Sequence, residues 1–302
     1  MSQPAGGGIV SGGAPNGGIV LVATPIGNLG DLSPRAVATL DAADVVCCED
    51  TRRTRVLLTA AGIGGRGRLV ALHEHNEAEQ IPRVLAWVEA GRSVAVVSDA
   101  GMPGISDPGA RLVAAAIALG ARVSVVPGPS AVVAALVVSG LPTDRFCVEG
   151  FLPRKGRARK LRLAALAAED RTSVVLEAPG RLAATLSDLA AVCGDRPVAV
   201  VRELTKVHEE TWRGPLRAAV EEFTQRPVKG EVVLVLGGAG PAGPPGDDEV
   251  INAVAERLAE GAGVRDAADA VAASLGVTRR RAYQAALSVR DRGGPACDQP
   301  PG

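Results

Sequence analysis

Short apolar runs separated by polar, glycine-bearing breaks set the rhythm of the first half of the chain. Ile19–Val22, Val45–Cys48, Leu69–Leu72, Val94–Val97 and Val123–Val126 are dominated by Val, Leu and Ile, with little polar alternation. Such runs predict strands buried on both faces. Helical spacing fills the gaps. Ser33 and Pro34 open a helix, Ser as a cap and Pro in the first turn, with Ala36, Val37 and Leu40 turned inward. Further helices are predicted around Ile81–Glu89, after Asp107-Pro108-Gly109, and over Ala131–Val138. Strands alternating with helices at this spacing imply a parallel sheet covered on both sides. Thr24–Asn28, Glu49–Arg53, His73–Asn76, Ser98–Gly104 and Pro127–Ser130 each follow the C-terminal end of a strand. That edge is where open α/β sheets bind ligands.

A second unit begins near Leu141. Its predicted strands are Phe146–Glu149, Thr172–Glu177, Val198–Val201 and Glu231–Leu236, with helices at Arg157–Ala168, Arg181–Ala191 and Pro215–Phe223. The expected organisation is a tail over 1–18, an N-terminal α/β domain over 19–140 and a second α/β domain over 141–238. A Gly/Pro-rich linker over 239–248, a helical module over 249–290 and a disordered tail over 291–302 follow. In the helical module a small-residue helix at Ala267–Ala273, a turn at Gly276 and a second helix opened by Arg279-Arg280-Arg281 have the shape of a helix-turn-helix. A plain helical hairpin fits the same pattern.

Composition narrows the class. Hydrophobic residues at 47% exclude a disordered chain, and aromatics at 2% leave Ala, Val and Leu to fill the core. The formal net charge is zero, so any contact with a polyanion must be local. Cys47, Cys48, Cys147, Cys193 and Cys297 form no CxxC pair and do not cluster with the three histidines. Reduced thiols in a cytosol, without structural zinc, are expected. The most apolar stretch, Leu112–Val138, is interrupted by Gly120, Arg122 and Pro127-Gly128-Pro129, so no membrane span is expected. The first eighteen residues carry neither the charged nor the apolar region of a signal peptide.

Several segments carry candidate chemistry. Ser98–Gly109 holds three glycines and two prolines, a loop whose backbone N–H groups can face a ligand. Asp99 in it is placed to accept from a ribose or amino group, although for a lone loop an ordinary turn with Asp107 capping a helix is the better reading. Pro127–Ser130 is a second such loop, and two neighbouring loops can line one crevice. Neither is a G-x-G-x-x-G fingerprint, and no Walker A motif is present. His73-Glu74-His75-Asn76 resembles half a metal site, but only His73 and His75 share a face and no third ligand is in view. Arg154–Arg162 packs six positive charges into nine residues with no acid between them, which favours phosphate contact over a merely solvated face. Arg279, Arg280 and Arg281 stand where a second helix would meet a groove or phosphates.

Eight segments in register resemble the tetrapyrrole methylase superfamily, and within it the ribosomal RNA small subunit methyltransferase I family. They are Ala23–Leu29, Cys48–Arg52, Leu72–Glu77, Ser98–Pro103, Pro127–Ala131, Asp144–Pro153, Arg202–Lys206 and Lys229–Glu231, spread across residues 19 to 238. The resemblance implies a two-domain α/β fold with S-adenosylmethionine in the cleft between domains, a small C-terminal helical module, and a homodimer. It implies 2′-O-methylation of one cytidine near the decoding centre of 16S ribosomal RNA in the small subunit, in the cytoplasm. Cofactor contacts are then expected at Pro25, Ile26, Asp99, Met102, Ser130, Ala131, Leu176, Ala178, Glu203 and Gly230. Leu176 and Gly180 depart from the family pattern, which usually has an aromatic at the first and His or Arg at the second; Met102 replaces the commoner Thr.

A ribose hydroxyl is a poor nucleophile and benefits from a base. Glu49, Asp50 and Glu74 are the candidates, with Arg52 and Lys155 holding phosphate or the developing oxyanion. Arg154, Lys155, Arg157, Arg159 and Lys160, together with Arg279–Arg281, are the expected RNA contacts. A corrin-ring methyltransferase and a diphthamide-pathway methylase would share the cofactor cleft, but a free macrocycle needs neither the basic stretch nor the helical module. A non-catalytic helix-turn-helix protein on DNA would have no use for the cofactor loops.

Overall fold

The computed structural model describes residues 17–64, 68–240 and 246–293, the side chains of 291–293 excepted. Most of the two expected tails, Cys297 and residues 241–245 of the expected linker lie outside the described residues. Compact units divide at Gly238 and Ala239.

In the larger unit, β1 (Gly18–Val22), β2 (Val45–Cys48), β3 (Arg68–Ala71), β4 (Val94–Val97) and β5 (Arg122–Val126) form one sheet in the order β3-β2-β4-β1-β5. All its pairings are parallel. Helices α1 (Pro34–Ala42) and α2 (Thr51–Ala60) bury Ala36, Leu40 and Leu58 against Val20, Val22, Val46, Cys48, Ala95 and Val97. On the opposite face α3 (Glu77–Glu89) and α4 (Ala110–Ala118) set Val84, Val88, Leu112 and Ala116 on Ile19, Val45, Cys47, Val94 and Val96. The alternation of these two sets along each strand is the pleat itself. It explains why β2 and β4 are buried at every position. The chain leaves β1 toward one face and β4, its neighbour, toward the other, and the divergence opens a crevice at their C-terminal ends.

The second sheet is mixed. It comprises β6 (Phe146–Phe151), β7 (Thr172–Glu177), β8 (Pro197–Arg202), β9 (Glu210–Pro215) and β10 (Val232–Leu236), ordered β6-β7-β10-β8-β9. Only β6 and β7 run parallel. One face is covered by α6 (Gly156–Ala168), α7 (Leu182–Cys193) and α8 (Leu216–Gln225), with Leu166, Leu182, Leu186, Leu189 and Leu216 fully buried. The other face takes α5 (Ala131–Ser139), which follows β5 of the first sheet and buries Val132, Ala135 and Leu136 against Val174, Ala199, Val201, Val233 and Val235.

Strand β9 has no counterpart in the predicted elements. Glu-Thr-Trp-Arg-Gly-Pro is polar because β9 is an edge strand with one neighbour, so no apolar run announces it. Arg213 on it donates Nε–H to the Val138 and Ser139 carbonyls at 3.1 and 3.2 Å, satisfying the C-terminal end of α5.

The smaller unit holds α9 (Asp247–Ala259), α10 (Val264–Leu275) and α11 (Arg279–Gly293) around Val250, Val254, Ala268, Val271, Ala282 and Ala286. Gly276, at φ 64°, ends α10 in the left-handed region.

Asp107 does not cap α4. The N-cap position is Gly109, and the free N–H groups of Gly109 and Leu112 donate instead to Glu77 Oε1 at 3.0 and 3.1 Å. Glu77 is 5% exposed and comes from the start of α3, so the cap is tertiary rather than local. Replacing it with Ala orphans two buried donors. Glu77→Ala is expected to lower unfolding stability by roughly 2 kcal/mol or more, whereas Val56→Ala, at a position 70% exposed, shifts it little. Urea unfolding of the two variants checks this.

Candidate active site

Glycine-bent turns build the crevice from the first-sheet side. Thr24, just past β1, exchanges backbone hydrogen bonds with Gly101, past β4, at 2.9 and 3.1 Å. The Thr24 hydroxyl donates to the Ser98 carbonyl at 3.2 Å. Gly101 sits at φ 82°, and a Cβ there would lie 3.3 Å from the Ile26 side chain, so the close approach and the backbone sign both call for glycine. Ser130 opens α5 and accepts from Val133 N. The positive end of that helix therefore faces the crevice.

From the second sheet come the ends of β7 and β10. Glu177 is fully buried, yet its carboxylate is saturated: Oε1 accepts from Ala178 N at 2.7 Å and pairs with Arg181 at 2.5 Å, and Oε2 accepts from the Thr185 hydroxyl at 2.6 Å. Glu203 has φ 51°, and its carboxylate accepts from Glu231 N and Lys206 Nζ, both at 2.9 Å. Those two contacts hold the carboxyl below the usual carboxylate range. Gly230, at φ 87°, fits against that carboxylate; a Cβ would fall 2.2 Å from Glu203 Oε1.

Between the sheets lies a cavity of about 330 Å³. Of the expected cofactor contacts, Ile26, Met102, Ser130, Ala131, Leu176, Ala178 and Gly230 line it. Glu203 lines a small adjoining pocket with Ile26 and Ala131, and Pro25 precedes Ile26 in the same turn. Asp99 stands apart from the lining. Its carboxylate accepts from Asp50 N at 3.1 Å and pairs with Arg53 at 3.2 Å, tying the turn after β4 to the start of α2. Lining residues absent from the expected set include Ile105, Ser106, Asp107 and Phe151. Phe151 is the register partner of Leu176, so an aromatic residue stands beside that position. The signal for Asp107 was its place in the Gly-rich loop, masked by its resemblance to a helix cap.

The carboxylates divide sharply. Asp50 caps α2 and receives the Arg52 guanidinium and backbone N–H, which hold it down to about 2. Glu74 is exposed in the turn after β3. Glu49 is raised, first by burial and then by Asp99, with Arg53 and His73 opposing. Asp107 is raised to about 6 by burial and by Glu49, and Ser98 opposes the shift.

The basic residues divide too. Arg154, Lys155, Arg157 and Lys160 are exposed around the start of α6. Arg159, grouped with them on sequence, is turned inward: its side chain is 12% exposed, and it bonds Asp188 at 2.8 Å, the Thr185 hydroxyl at 3.0 Å and the Pro153 carbonyl at 3.0 Å. Arg162 pairs with Glu149 at 2.8 Å. Folding thus supplies the acids that the linear stretch lacks. Arg52 is exposed and paired with Asp50. In the helical unit Arg279 pairs with Asp269 and Arg281 with Asp247, while Arg280 is exposed.

A parallel sheet whose glycine-bent turns face a mixed sheet across a cavity defines a class. The model of the family "Tetrapyrrole (Corrin/Porphyrin) Methylases" matches residues 18–220. The solved uroporphyrin-III C-methyltransferase of Thermus thermophilus, in complex with S-adenosyl homocysteine, superposes with a TM-score of 0.53 at 24% identity, covering 73% of this chain and 97% of that one. Much closer sequences carry the name ribosomal RNA small subunit methyltransferase I. That of Mycobacterium tuberculosis (strain CDC 1551 / Oshkosh) is 49% identical over 284 residues, 93% of this chain and 99% of its own. That of Synechocystis sp. (strain ATCC 27184 / PCC 6803 / Kazusa) is 44% identical over 278 residues, 91% of this chain and 99% of its own. The chain belongs to the tetrapyrrole methylases and, within them, to the ribosomal RNA small subunit methyltransferase I family.

Gly230→Ala forces a side chain into a left-handed position and against the Glu203 carboxylate. It is expected to cost about 2 kcal/mol or more, while Gly180→Ala, which meets open space, stays within about 1 kcal/mol. Thermal unfolding of both variants checks the contrast.

Proposed function

We propose that the protein transfers the methyl group of S-adenosylmethionine to 16S ribosomal RNA of the small subunit, at the 2′-oxygen of a cytidine. Kinship at 49% identity over nearly the whole chain supports the rRNA reading. The single structural observation that carries it is the cavity between the sheets, of ligand size and lined by residues of both.

The lining fits the donor. Ile26, Met102, Ile105 and Val233 offer apolar walls for the adenosine and the thioether chain, and the Gly230 and Gly101 cradles leave room that a Cβ would take. Ser130 and Ala131 present the N-terminal turn of α5 to polar atoms of the ligand. Glu177 fixes the wall at Ala178 by holding its N–H. The sulfonium supplies a methyl already activated for transfer, so the protein's tasks are alignment, exclusion of water and removal of one proton.

The exposed basic residues about α6 supply the phosphate contacts in this reading. Arg159 is omitted from them because it is committed to Asp188 and Thr185. The protein is further proposed to act as a homodimer, for which exposed Phe146, Val148, Val133 and Val137 offer apolar surface; sedimentation returning only a monomer at micromolar concentration would discard that. A cytoplasmic location belongs to the same reading. Among the described residues no helix is long and apolar enough to cross a membrane.

Purified protein, labelled donor and undermethylated small subunits test the whole. Label mapped to a cytidine ribose supports the proposal; label in a base, or none in RNA, sinks it. Replacing Arg154, Lys155, Arg157 and Lys160 together by Ala is expected to raise the KM for subunits about tenfold or more and to flatten its salt dependence, leaving donor affinity unchanged. Arg159→Ala should instead lower the Tm, because it strips a partner from Asp188 and Thr185.

A further inference from the structure

Strand β3 is an outer strand of the parallel sheet, paired only with β2. Beside it lies a groove of about 250 Å³ that shares no lining residue with the cavity between the sheets. The strand lines it with Arg68–Ala71, and the turn and helix that follow line it with Asn76, Gln80 and Arg83. Two guanidiniums and two amides therefore meet there without a carboxylate. Elsewhere Arg52, Arg53, Arg159 and Arg162 are each paired with an acid. Among the described residues no acid pairs with Arg68 or Arg83. Arg83 lies instead over the Trp87 ring, 4.9 Å from its centroid, a contact that orients the guanidinium without neutralising it.

Gln80 adds a second, independent observation. Its Oε1 is buried and accepts no hydrogen bond. Asn76 is committed to the fold: Oδ1 accepts from His73 N at 2.8 Å, and Nδ2 donates to the Ala71 carbonyl at 3.1 Å. Gln80 uses only its backbone N–H in this way, donating to the Asn76 carbonyl at 3.0 Å. A buried acceptor without a donor costs about 1–3 kcal/mol. The groove thus holds positive charge for an anion and an acceptor that lacks an N–H.

We propose that this groove is a subsite for the RNA substrate, holding one unpaired nucleotide near the methylated one in the same strand. This rests on the rRNA methyl-transfer reading. Arg68 and Arg83 take the phosphate, and Gln80 Oε1 accepts from an exocyclic amino group of the base. Adenine, guanine and cytosine carry such a group and uracil does not. Unstacked bases are recognised in this way, by hydrogen bonds to their edges and by stacking on guanidinium planes, whereas duplex RNA hides its major-groove edges. The spacing also fits. Neighbouring strands lie about 4.8 Å apart. β3 is two strands from β4 and three from β1, so the groove stands roughly 10–15 Å across the sheet from the crevice. Asn76, past the C-terminal end of β3, puts part of the groove on the same edge of the sheet as the crevice. A few nucleotides of one strand cover that distance.

The full-length protein, labelled donor and undermethylated small subunits provide the test. Gln80→Leu keeps the volume and removes the amide. It should raise the KM for subunits about fivefold or more, with kcat at saturation and donor affinity by calorimetry held within about twofold. Its Tm should equal or exceed the wild-type value, because the lost oxygen has no partner. Arg68→Gln combined with Arg83→Gln keeps the apolar stems and removes the charge. That variant should raise the same KM about tenfold and reduce its salt dependence. As competitors, single-stranded oligo(C) should inhibit the wild type better than oligo(U), and Gln80→Leu should lose the difference. A KM within about twofold of wild type for both variants overturns the subsite. A lower Tm for Gln80→Leu, or equal inhibition of the wild type by the two oligonucleotides, overturns the base contact. Label in RNA with these effects missing leaves methyl transfer standing and removes the subsite alone; no label in RNA with the wild-type protein removes both.

Discussion

The packing of α5 on the second sheet is the constraint on which the rest depends. The helix starts one turn beyond β5 of the parallel sheet and buries Val132, Ala135 and Leu136 against β7, β8 and β10. A sheet with one face covered by α6–α8 and the other bare would expose Val174, Ala199, Val201, Val233 and Val235, at a cost of about 25 cal/mol for each Å². Covering that face with a helix from the first half joins the halves into one compact unit and sets the separation between their edges. The cavity is the space left between those edges. Arg213, on the edge strand farthest in sequence from α5, holds the helix's C-terminal carbonyls and keeps the joint closed at its other end.

Around this joint, charges are used in two ways. Where a carboxylate must hold backbone, it accepts from more than one donor: Glu77 on the α4 terminus, Glu177 on Ala178 and Thr185, Glu203 on Glu231 and Lys206. Such groups add rigidity because each ties two or more donors to one carboxylate. Where a carboxylate is partly buried with another carboxylate beside it, as with Glu49 and Asp107, burial and like charge raise its proton affinity and stability is spent.

The basic stretch shows how a linear pattern is re-sorted by folding. Six positive charges between 154 and 162 read as one patch. In three dimensions α6 turns one of them, Arg159, onto α7, and gives Arg162 to Glu149 of β6. The helical period separates neighbours in sequence onto different faces, and partners that decide which faces are free come from 13 to 29 residues away.

What the amino-acid order determined by itself was local. Valine-rich runs bounded by turns named β1–β5, Ser33 and Pro34 named the start of α1, and the position of each Gly-rich loop past a strand end named the crevice. These signals are legible because strand burial, capping and positive φ are requirements on a residue and its near neighbours. Long-range partners decided the remainder. The polar edge strand β9, the Glu77 cap, the inward Arg159 and the release of Asp107 from a cap into the cavity each depend on a group that only folding brings near. Hydrogen bonds and desolvation act over a few ångströms of space, and distance along the chain does not encode them.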